Sequence, residues 1–473
     1  MSTIWDRDAV LIDGNWRRAA EIVEVQNPAT EEAVGTAASA QVSDVDDAVA
    51  AAVRARRGWA QIPPAARISA LRTVLAELLQ RRDDLVAATV AEVGAPVTIA
   101  EQAHIDCGLD VFAGFLNAAP EALQPQHIGN SVLLRKPAGV VAAITPWNYP
   151  FYQLVAKLGA ALAAGCPIVI KPAELTPLSA YLVADAVQAA GIPDGVVNLV
   201  PGTGTTVGAA LVAHPQVDVV SFTGSTAVGR SVALSAADRF ARACLELGGK
   251  SASVVLDDAD LAAAVQGTVA SAMLNSGQTC SALTRLLVPR ALLPEALELA
   301  AVAAGALVVG DPTARDTDMG PLISARQRAA VAQHVSGALD RGARLVAGGP
   351  GRPAGLDRGH YLAPTVLAHL EADDPAVIEE IFGPVLVVSA HDGDDHAIEL
   401  ANSGPYGLSG AVWSADAERA LATSDRMDTG QVDINGAPFN PLAPFGGWKA
   451  SGSGRELGRS GIEEYTELTS VQR

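Results

Sequence analysis

The sequence predicts a mixed α/β protein of more than one domain, with parallel sheets covered by helices on both faces. Three observations predict it. The chain has 473 residues, room for roughly two to four domains of about 100–200 residues each. Hydrophobic residues are 49% and charged residues 18%, the composition of a packed chain rather than a disordered one. From residue 139 onward, short apolar runs alternate with helical stretches, which is how strand–helix–strand units with a parallel sheet read.

Taken in order, the first 120 residues read as mainly helical. Segments 45–58 and 65–93 repeat apolar residues every three or four positions, with Arg, Asp and Glu on the other faces. Segment 122–136 is polar and extended in character, has a Gly129-Asn130 turn signal, and interrupts the pattern. Strands are then expected at 139–144, 167–170, 196–200 and 217–221, alternating with helices at 151–164, 178–190, 205–213 and 225–235. Gly165 and Gly191 stand where helix C-caps are expected. A second alternation from 251 to 435, with strands at 286–288, 385–390 and 408–413, is long enough for a second α/β domain. No internal repeat and no Gly/Ser linker is visible.

Composition excludes several functions. The net charge is −19, and so acidic a surface repels phosphate backbones, which argues against nucleic acid as a partner. The four cysteines, Cys107, Cys166, Cys244 and Cys280, form no CxxC pair, so neither a disulfide framework nor a structural zinc site is expected. Reduced thiols point to the cytoplasm. The opening MSTIWDRDAV lacks the apolar stretch of a signal peptide. The most apolar run, 158–170, is too short to span a membrane and holds Gly and Pro. The eight histidines show no metal-binding spacing such as HExxH, so no catalytic metal is expected.

Five segments can carry chemistry. Gly277-Gln278-Thr279-Cys280 presents a thiol, and Glu246-Leu247-Gly248-Gly249-Lys250 begins 34 residues upstream. A cysteine attacks as its thiolate and needs a base or a positive field nearby; a glutamate at a glycine-rich reversal can act as base or activate water. Cys107, Cys166 and Cys244 lie in apolar or helical runs and read as structural. Phe222-Thr223-Gly224-Ser225-Thr226-Ala227-Val228-Gly229 follows an expected strand and opens a helix, an arrangement whose backbone N–H groups bind anions. It is GxxxxG rather than the dinucleotide fingerprint GxGxxG, and no P-loop lysine follows. Lys171 and Glu174 sit at the C-terminal end of another expected strand, where a doubly wound sheet binds its ligands. They suit ribose hydroxyls, and the Glu174 carboxylate repels a 2′-phosphate. Thr145-Pro146-Trp147-Asn148-Tyr149-Pro150 makes a rigid loop whose amide can hold an oxyanion.

Together these segments resemble the aldehyde dehydrogenase superfamily along nearly the whole chain. Val25-Gln26-Asn27-Pro28-Ala29-Thr30, TPWNYP at 145, KPAE at 171, SFTGSTAVG at 221, ELGGK at 246, GQTC at 277, EEIFGPV at 379, Asn402 with YGL at 406, and PFGGWKASGSGRELG at 444 occur in the family's order and near its spacing. The resemblance implies an aldehyde dehydrogenase-like α/β fold in three parts. These are a Rossmann-like NAD-binding domain at 1–118 and 138–247, a catalytic domain at 248–448, and a small β bridging or oligomerisation element at 119–137 and 449–473.

The resemblance also implies roles. Cys280 is the nucleophile, Glu246 the base that activates the hydrolytic water, and Asn148 the oxyanion-hole amide acting with the backbone N–H of Cys280. Lys157 and Glu456 support proton relay. NAD, with NADP as the alternative, is held by Trp147, Lys171, Glu174, Gly204, Phe222, Gly224, Ser225, Gly229, Leu247, Glu380 and Phe382. The implied reaction oxidises an aldehyde to a carboxylic acid through a thiohemiacetal and a thioester on the cysteine.

The aldehyde tunnel is expected to be walled by Tyr149, Tyr152, Gln153, Ala156, Leu274, Thr279, Ser281 and Phe439. Ala156 is small where many relatives carry an aromatic, so a wide mouth for a bulky aldehyde is expected, and none of these wall residues is charged. Thr469 replaces a lysine common in relatives, and the C-terminal strand is shorter. A homodimer is implied, with a homotetramer resting on that shorter strand. Two alternatives are acyl transfer to coenzyme A, whose practitioners tend to lack the ELGGK glutamate, and a non-enzymatic binding protein on the same fold. The presence of Cys280 and Glu246 speaks against both.

Overall fold

The computed structural model describes residues 5–473. An eight-stranded sheet runs in the spatial order 452–453, 242–246, 219–223, 141–144, 168–171, 197–199, 9–12 and 15–18. Its five central strands, Arg242–Glu246 through Val197–Leu199, are parallel. Val141–Ile144, Ile168–Lys171 and Val219–Thr223 are buried at every residue, as strands covered on both sides must be. Alternate residues serve two cores. Val141, Ala143, Ile168 and Ile170 join one with the helices Pro150–Ala164 and Leu178–Ala189. Ala142, Ile144, Val169 and Val220 join the other with the helix Val42–Gln61. The period of two along a strand makes that division.

From Val141–Ile144 the chain moves outward through Ile168–Lys171 to Val197–Leu199, then returns to Val219–Thr223 on the opposite side. The strand order therefore reverses between 141–144 and 219–223, which are neighbours in register, with Phe222 opposite Ile144. A crevice opens at such a reversal beyond the C-terminal strand ends, and the loops 145–149 and 224–225 occupy it. The helix Pro150–Ala164 starts with Pro at its first position and stops at Gly165, whose φ is +96°. Gly159 lets the helix Cys107–Ala122 lie close against it, since a Cβ there would sit 2.7 Å from Phe115.

A second, seven-stranded sheet is ordered 344–347, 365–368, 385–391, 285–289, 252–255, 409–413 and 431–434, and all but the first strand are parallel. Leu286 and Val288 face one core, Leu287 the other. The hairpin Gln126–Ile128 and Ser131–Pro137 turns at Gly129, with φ of +58°, and pairs with Thr466–Gln472 from Thr466 opposite Pro137 to Gln472 opposite Ser131. No helix among the described residues is long and apolar enough to cross a membrane.

One expectation fails. Residues 5–39 are not helical: Asp6–Arg7, Glu21–Gln26 and Ala33–Ser39 form a small sheet, and Ala9–Ile12 with Asn15–Arg18 edge the large one. Asp13 and Gly14, with φ of +52° and +73°, make the turn between the last two. Asp-Gly is the hairpin signal that could have revealed it; the strands are too short for periodicity to outweigh the helical segments after them. Gly191 also lies one residue beyond the actual cap, Ala190.

Candidate active site

The site is built first by an unusual turn. The helix Leu261–Met273, capped by the Asp260 side chain, runs into Leu274–Gly277, where Asn275, Ser276 and Gly277 take φ of +52°, +58° and +71°. Each non-glycine residue there costs about 1–2 kcal/mol, so the turn persists only because it is tied down. Ser276 Oγ donates to the Gly320 carbonyl at 2.8 Å, and Gln278 Oε1 accepts the Ile323 N–H at 2.8 Å. Gly277 admits no side chain, since a Cβ would lie 2.1 Å from the Gly383 carbonyl oxygen. From the crevice loop, Asn148 Nδ2 donates to the Gln278 carbonyl at 2.9 Å, and Asn275 Nδ2 returns a bond to the Asn148 carbonyl at 3.0 Å. One hydrogen of the buried Asn148 amide is thus used in the loop, and the other remains to offer.

Cys280 follows this turn and lies on the wall of a cavity of about 670 Å³. Of the expected tunnel residues, Tyr149, Tyr152, Gln153, Leu274, Thr279, Ser281 and Phe439 line it. Ala156 does not: it is 1% exposed in the core beneath the sheet, so its size sets no mouth. The width comes instead from the segment Gln102, Ala103, Asp106, Cys107 and Asp110, and from Asp433 and Phe445. The expectation of an uncharged wall is corrected as well, because three of these are aspartates. Asp106 is held by the Arg82 guanidinium at 2.7 and 2.8 Å, and burial raises the Asp433 carboxyl above its ordinary range. No local motif marks the three aspartates; Asp106 and Asp110 reach the cavity on the helical segment 100–122 and Asp433 on the strand Gln431–Ile434.

Three carboxyls and a lysine lie behind the thiol. Glu246 ends the strand Arg242–Glu246, is buried, and accepts no hydrogen bond from the described residues. Burial, then the charge of Glu456, holds its carboxyl well above the usual range, while Lys157 and Arg455 oppose this. Lys157 is fully buried, ion-pairs with Glu456, and donates to Thr223 Oγ1 at 2.6 Å; Thr223 donates to Gln153 Oε1 at 3.2 Å. Lys157 and Glu456 both lie near enough to Glu246 for their charges to act on its carboxyl. The Cys280 thiol is pushed up to about 12 by burial, then by Glu246 and Glu380. Below that value the thiolate fraction grows about tenfold per pH unit. Alkylation of the Cys280 peptide by iodoacetamide in the free protein is expected to accelerate through pH 9. A plateau below pH 8 would mean that the thiolate is already formed.

The remaining expected residues gather around the crevice. Lys171 Nζ bonds Glu174 Oε2 at 3.1 Å; Lys171 is buried and Glu174 half exposed. Gly224 follows the strand Val219–Thr223, and the Ser225 hydroxyl caps the helix Thr226–Ala237 by accepting the Val228 N–H. Gly229 lets that helix sit on Leu247, since a Cβ would be 2.4 Å from Leu247 Cδ2. Phe222 is buried beneath the loop. Glu380 Oε1 accepts the Gly249 N–H at 3.0 Å, over Gly248, where a Cβ would lie 2.0 Å from the Glu380 carboxyl. Trp147 meets Phe382 edge-on at 5.3 Å. Gly204 stands at an exposed turn with open space around it.

The family model described as "Aldehyde dehydrogenase family" matches residues 16–471. A 3-succinoylsemialdehyde-pyridine dehydrogenase from a Pseudomonas species is 44% identical over 463 residues, covering 97% of each chain. A solved aldehyde dehydrogenase C from Pseudomonas syringae, a cysteine-to-alanine variant with NAD+ and octanal, superposes with a TM-score of 0.95. It is 42% identical, over 98% of this chain and 96% of that one. A Mycobacterium tuberculosis aldehyde dehydrogenase with NAD+ gives a TM-score of 0.96 at 40% identity, over 99% of this chain and 98% of that one.

Proposed function

Because the chain belongs to the aldehyde dehydrogenase family, we propose that it oxidises an aldehyde to a carboxylic acid with Cys280 as nucleophile and NAD as hydride acceptor. The observation that carries this reading is Cys280 on the wall of a deep cavity, with Asn148 bonded into the same loop.

The crevice fits a dinucleotide. The first turn of Thr226–Ala237 presents exposed backbone N–H groups where the strand order reverses, a ready place for a diphosphate. Lys171 and Glu174 offer a donor and an acceptor for ribose hydroxyls at the neighbouring strand end. Glu380, Trp147 and Phe382 are the residues for the nicotinamide end. When bound, NAD supplies the acceptor for the hydride that leaves the substrate carbon.

The chain's own residues perform the rest. Cys280 gives its proton to water in the cavity, and its sulfur bonds to the carbonyl carbon as the C=O π pair moves onto oxygen. The oxygen takes the negative charge and is held by the Asn148 amide and the Cys280 backbone N–H, donors already fixed by the loop. After oxidation of that carbon the acyl group remains on sulfur as a thioester. Glu246 takes a proton from water, the hydroxide adds to the thioester, and the C–S bond breaks to return the thiolate and release the acid. Glu246 then passes its proton toward the Glu456 carboxylate, which the ion pair with the Lys157 ammonium holds in place. The four aromatic walls, Tyr149, Tyr152, Phe439 and Phe445, favour a medium-sized apolar or aromatic aldehyde over acetaldehyde.

A panel of aliphatic and aromatic aldehydes offered with NAD and NADP in parallel tests the proposal by absorbance of the reduced cofactor. Reduction with NAD is expected, and none with any aldehyde would overturn the reading. In the same assay Glu174→Ala is expected to shift the preference toward NADP by about tenfold, the equivalent of about 1.4 kcal/mol for one lost repulsion; an unchanged ratio would remove Glu174 from that role. The open edge of Thr466–Gln472, with Leu468 and Val471 exposed, supports pairing with a second copy in a homodimer or homotetramer. The four free cysteines support a cytoplasmic setting.

A further inference from the structure

We propose that His104 is a positioning residue for the nucleophile: by stacking on Tyr149 it holds the hydroxyl bond from Tyr149 to Thr279, and through it the backbone that carries Cys280. The proposal rests on Cys280 being the nucleophile.

His104 belongs to a helical rod from Val97 to Ala122 whose middle, Ala100–Asp106, is π-helical, with Cys107 N–H bonding back to the Gln102 carbonyl. Such turns are rare and concentrate at functional sites. Here Gln102, Ala103, Asp106 and Cys107 line the cavity, while His104 is fully buried. Its ring lies on Tyr149 with centroids 4.2 Å apart and planes 25° from parallel. Neither ring nitrogen makes a hydrogen bond of good geometry among the described residues; the Asn275 side chain supports the charged ring, but burial outweighs it and pushes the imidazole down to about 3, so the ring is neutral at working pH. A neutral imidazole so weakly hydrogen-bonded is a poorer core residue than leucine, because its nitrogens are desolvated for little return. What it offers that leucine lacks is a flat face for a second ring.

The face it supports leads directly to the nucleophile. Tyr149 and Thr279 hydroxyls are 2.7 Å apart, and Thr279 donates onward to the Leu274 carbonyl at 3.3 Å. Thr279 has one proton, so Tyr149 is the donor between them. Tyr149 also follows Asn148, which bonds the Gln278 carbonyl. Two adjacent residues of one loop thus clamp two adjacent residues of the other, immediately before Cys280. The left-handed stretch 275–277 upstream of that clamp would relax without it.

The test is steady-state kinetics of the NAD-loaded enzyme beside the iodoacetamide rate of Cys280. His104→Leu is expected to lower kcat about tenfold, the scale of a sub-ångström displacement, with KM for NAD unchanged. Tyr149→Phe is expected to do the same, and the double variant to be no worse than the poorer single one, because both act through one bond. His104→Phe keeps a stacked ring and is expected to recover most of the loss. Additive losses, or His104→Phe as impaired as Tyr149→Phe, would overturn the proposal; the second comparison also decides if His104→Leu fails to fold. The alkylation rate separates the two readings. A His104-dependent rate in a protein that reduces no cofactor with any aldehyde sustains the positioning and sinks the oxidation chemistry. A rate and a kcat both indifferent to His104 sink the positioning alone.

Discussion

Cys280→Ala is expected to abolish cofactor reduction, lowering turnover by about 10⁴-fold or more, the scale of deleting a covalent nucleophile. The loss should be chemical rather than structural. Cys280 is partly exposed on the cavity wall, and the turn before it is held by Ser276, Gln278, Asn148 and Asn275. None of those bonds uses the thiol. Melting temperature and NAD binding should therefore stay close to those of the parent protein while NADH formation disappears. Of the other cysteines, Cys166 and Cys244 are buried outside the cavity lining, and Cys107 lines the cavity from the helix Cys107–Ala122 rather than from the loop to which Asn148 is bonded. Turnover of Cys280→Ala within tenfold of the parent would remove the covalent mechanism outright.

Glu246→Gln is expected to divide the reaction in two. In the proposed reaction hydride leaves before the water attacks, so a first turnover needs no base at 246. Mixing the variant with NAD and aldehyde should produce a burst of NADH near one equivalent per site, followed by a steady rate lower by about 10²–10⁴-fold, the usual worth of a positioned base. The burst should coincide with an acyl adduct on the Cys280 peptide, visible by mass. The pH dependence has a definite sign. Because burial and then Glu456 raise the Glu246 carboxyl, it keeps its proton to higher pH than an ordinary carboxyl and becomes a base as pH rises. Acid release by the parent enzyme should climb with pH, whereas the variant should lose that part of the climb. Equal burst and steady rates in Glu246→Gln would show that another group activates the water. Rapid release only on adding coenzyme A to the parent enzyme would assign the thioester to acyl transfer instead.

Much of the architecture around these residues is local in origin and was legible in residue order. The alternation after residue 139 yields the strands 141–144, 168–171, 197–199 and 219–223 within a residue or two of expectation, because a strand buried on both faces has no choice but to be continuously apolar. Gly165 ends its helix at positive φ as its type demands. The chemistry-bearing segments were equally visible, since thiol, carboxylate and amide must be supplied by particular residue types. The N-terminal strands were missed for the converse reason. Ala9–Ile12 enters the large sheet by pairing with Leu199, a partner 188 positions away by number.

Residue order therefore told which groups this protein brings to its chemistry and which class of sheet carries them. It did not tell which wall each group faces. Ala156, expected at the tunnel, lies in the core, while Asp106, Asp110 and Asp433 reach the cavity from segments with no motif at all. His104, which no motif singles out, ends up stacked on a tyrosine that bonds Thr279, the residue before Cys280. Propensity and periodicity act over a few residues, so they settle element type and motif. Cavity walls and buried stacks arise where elements far apart in the chain are pressed together, and that pairing is decided only when the two cores of the sheet close.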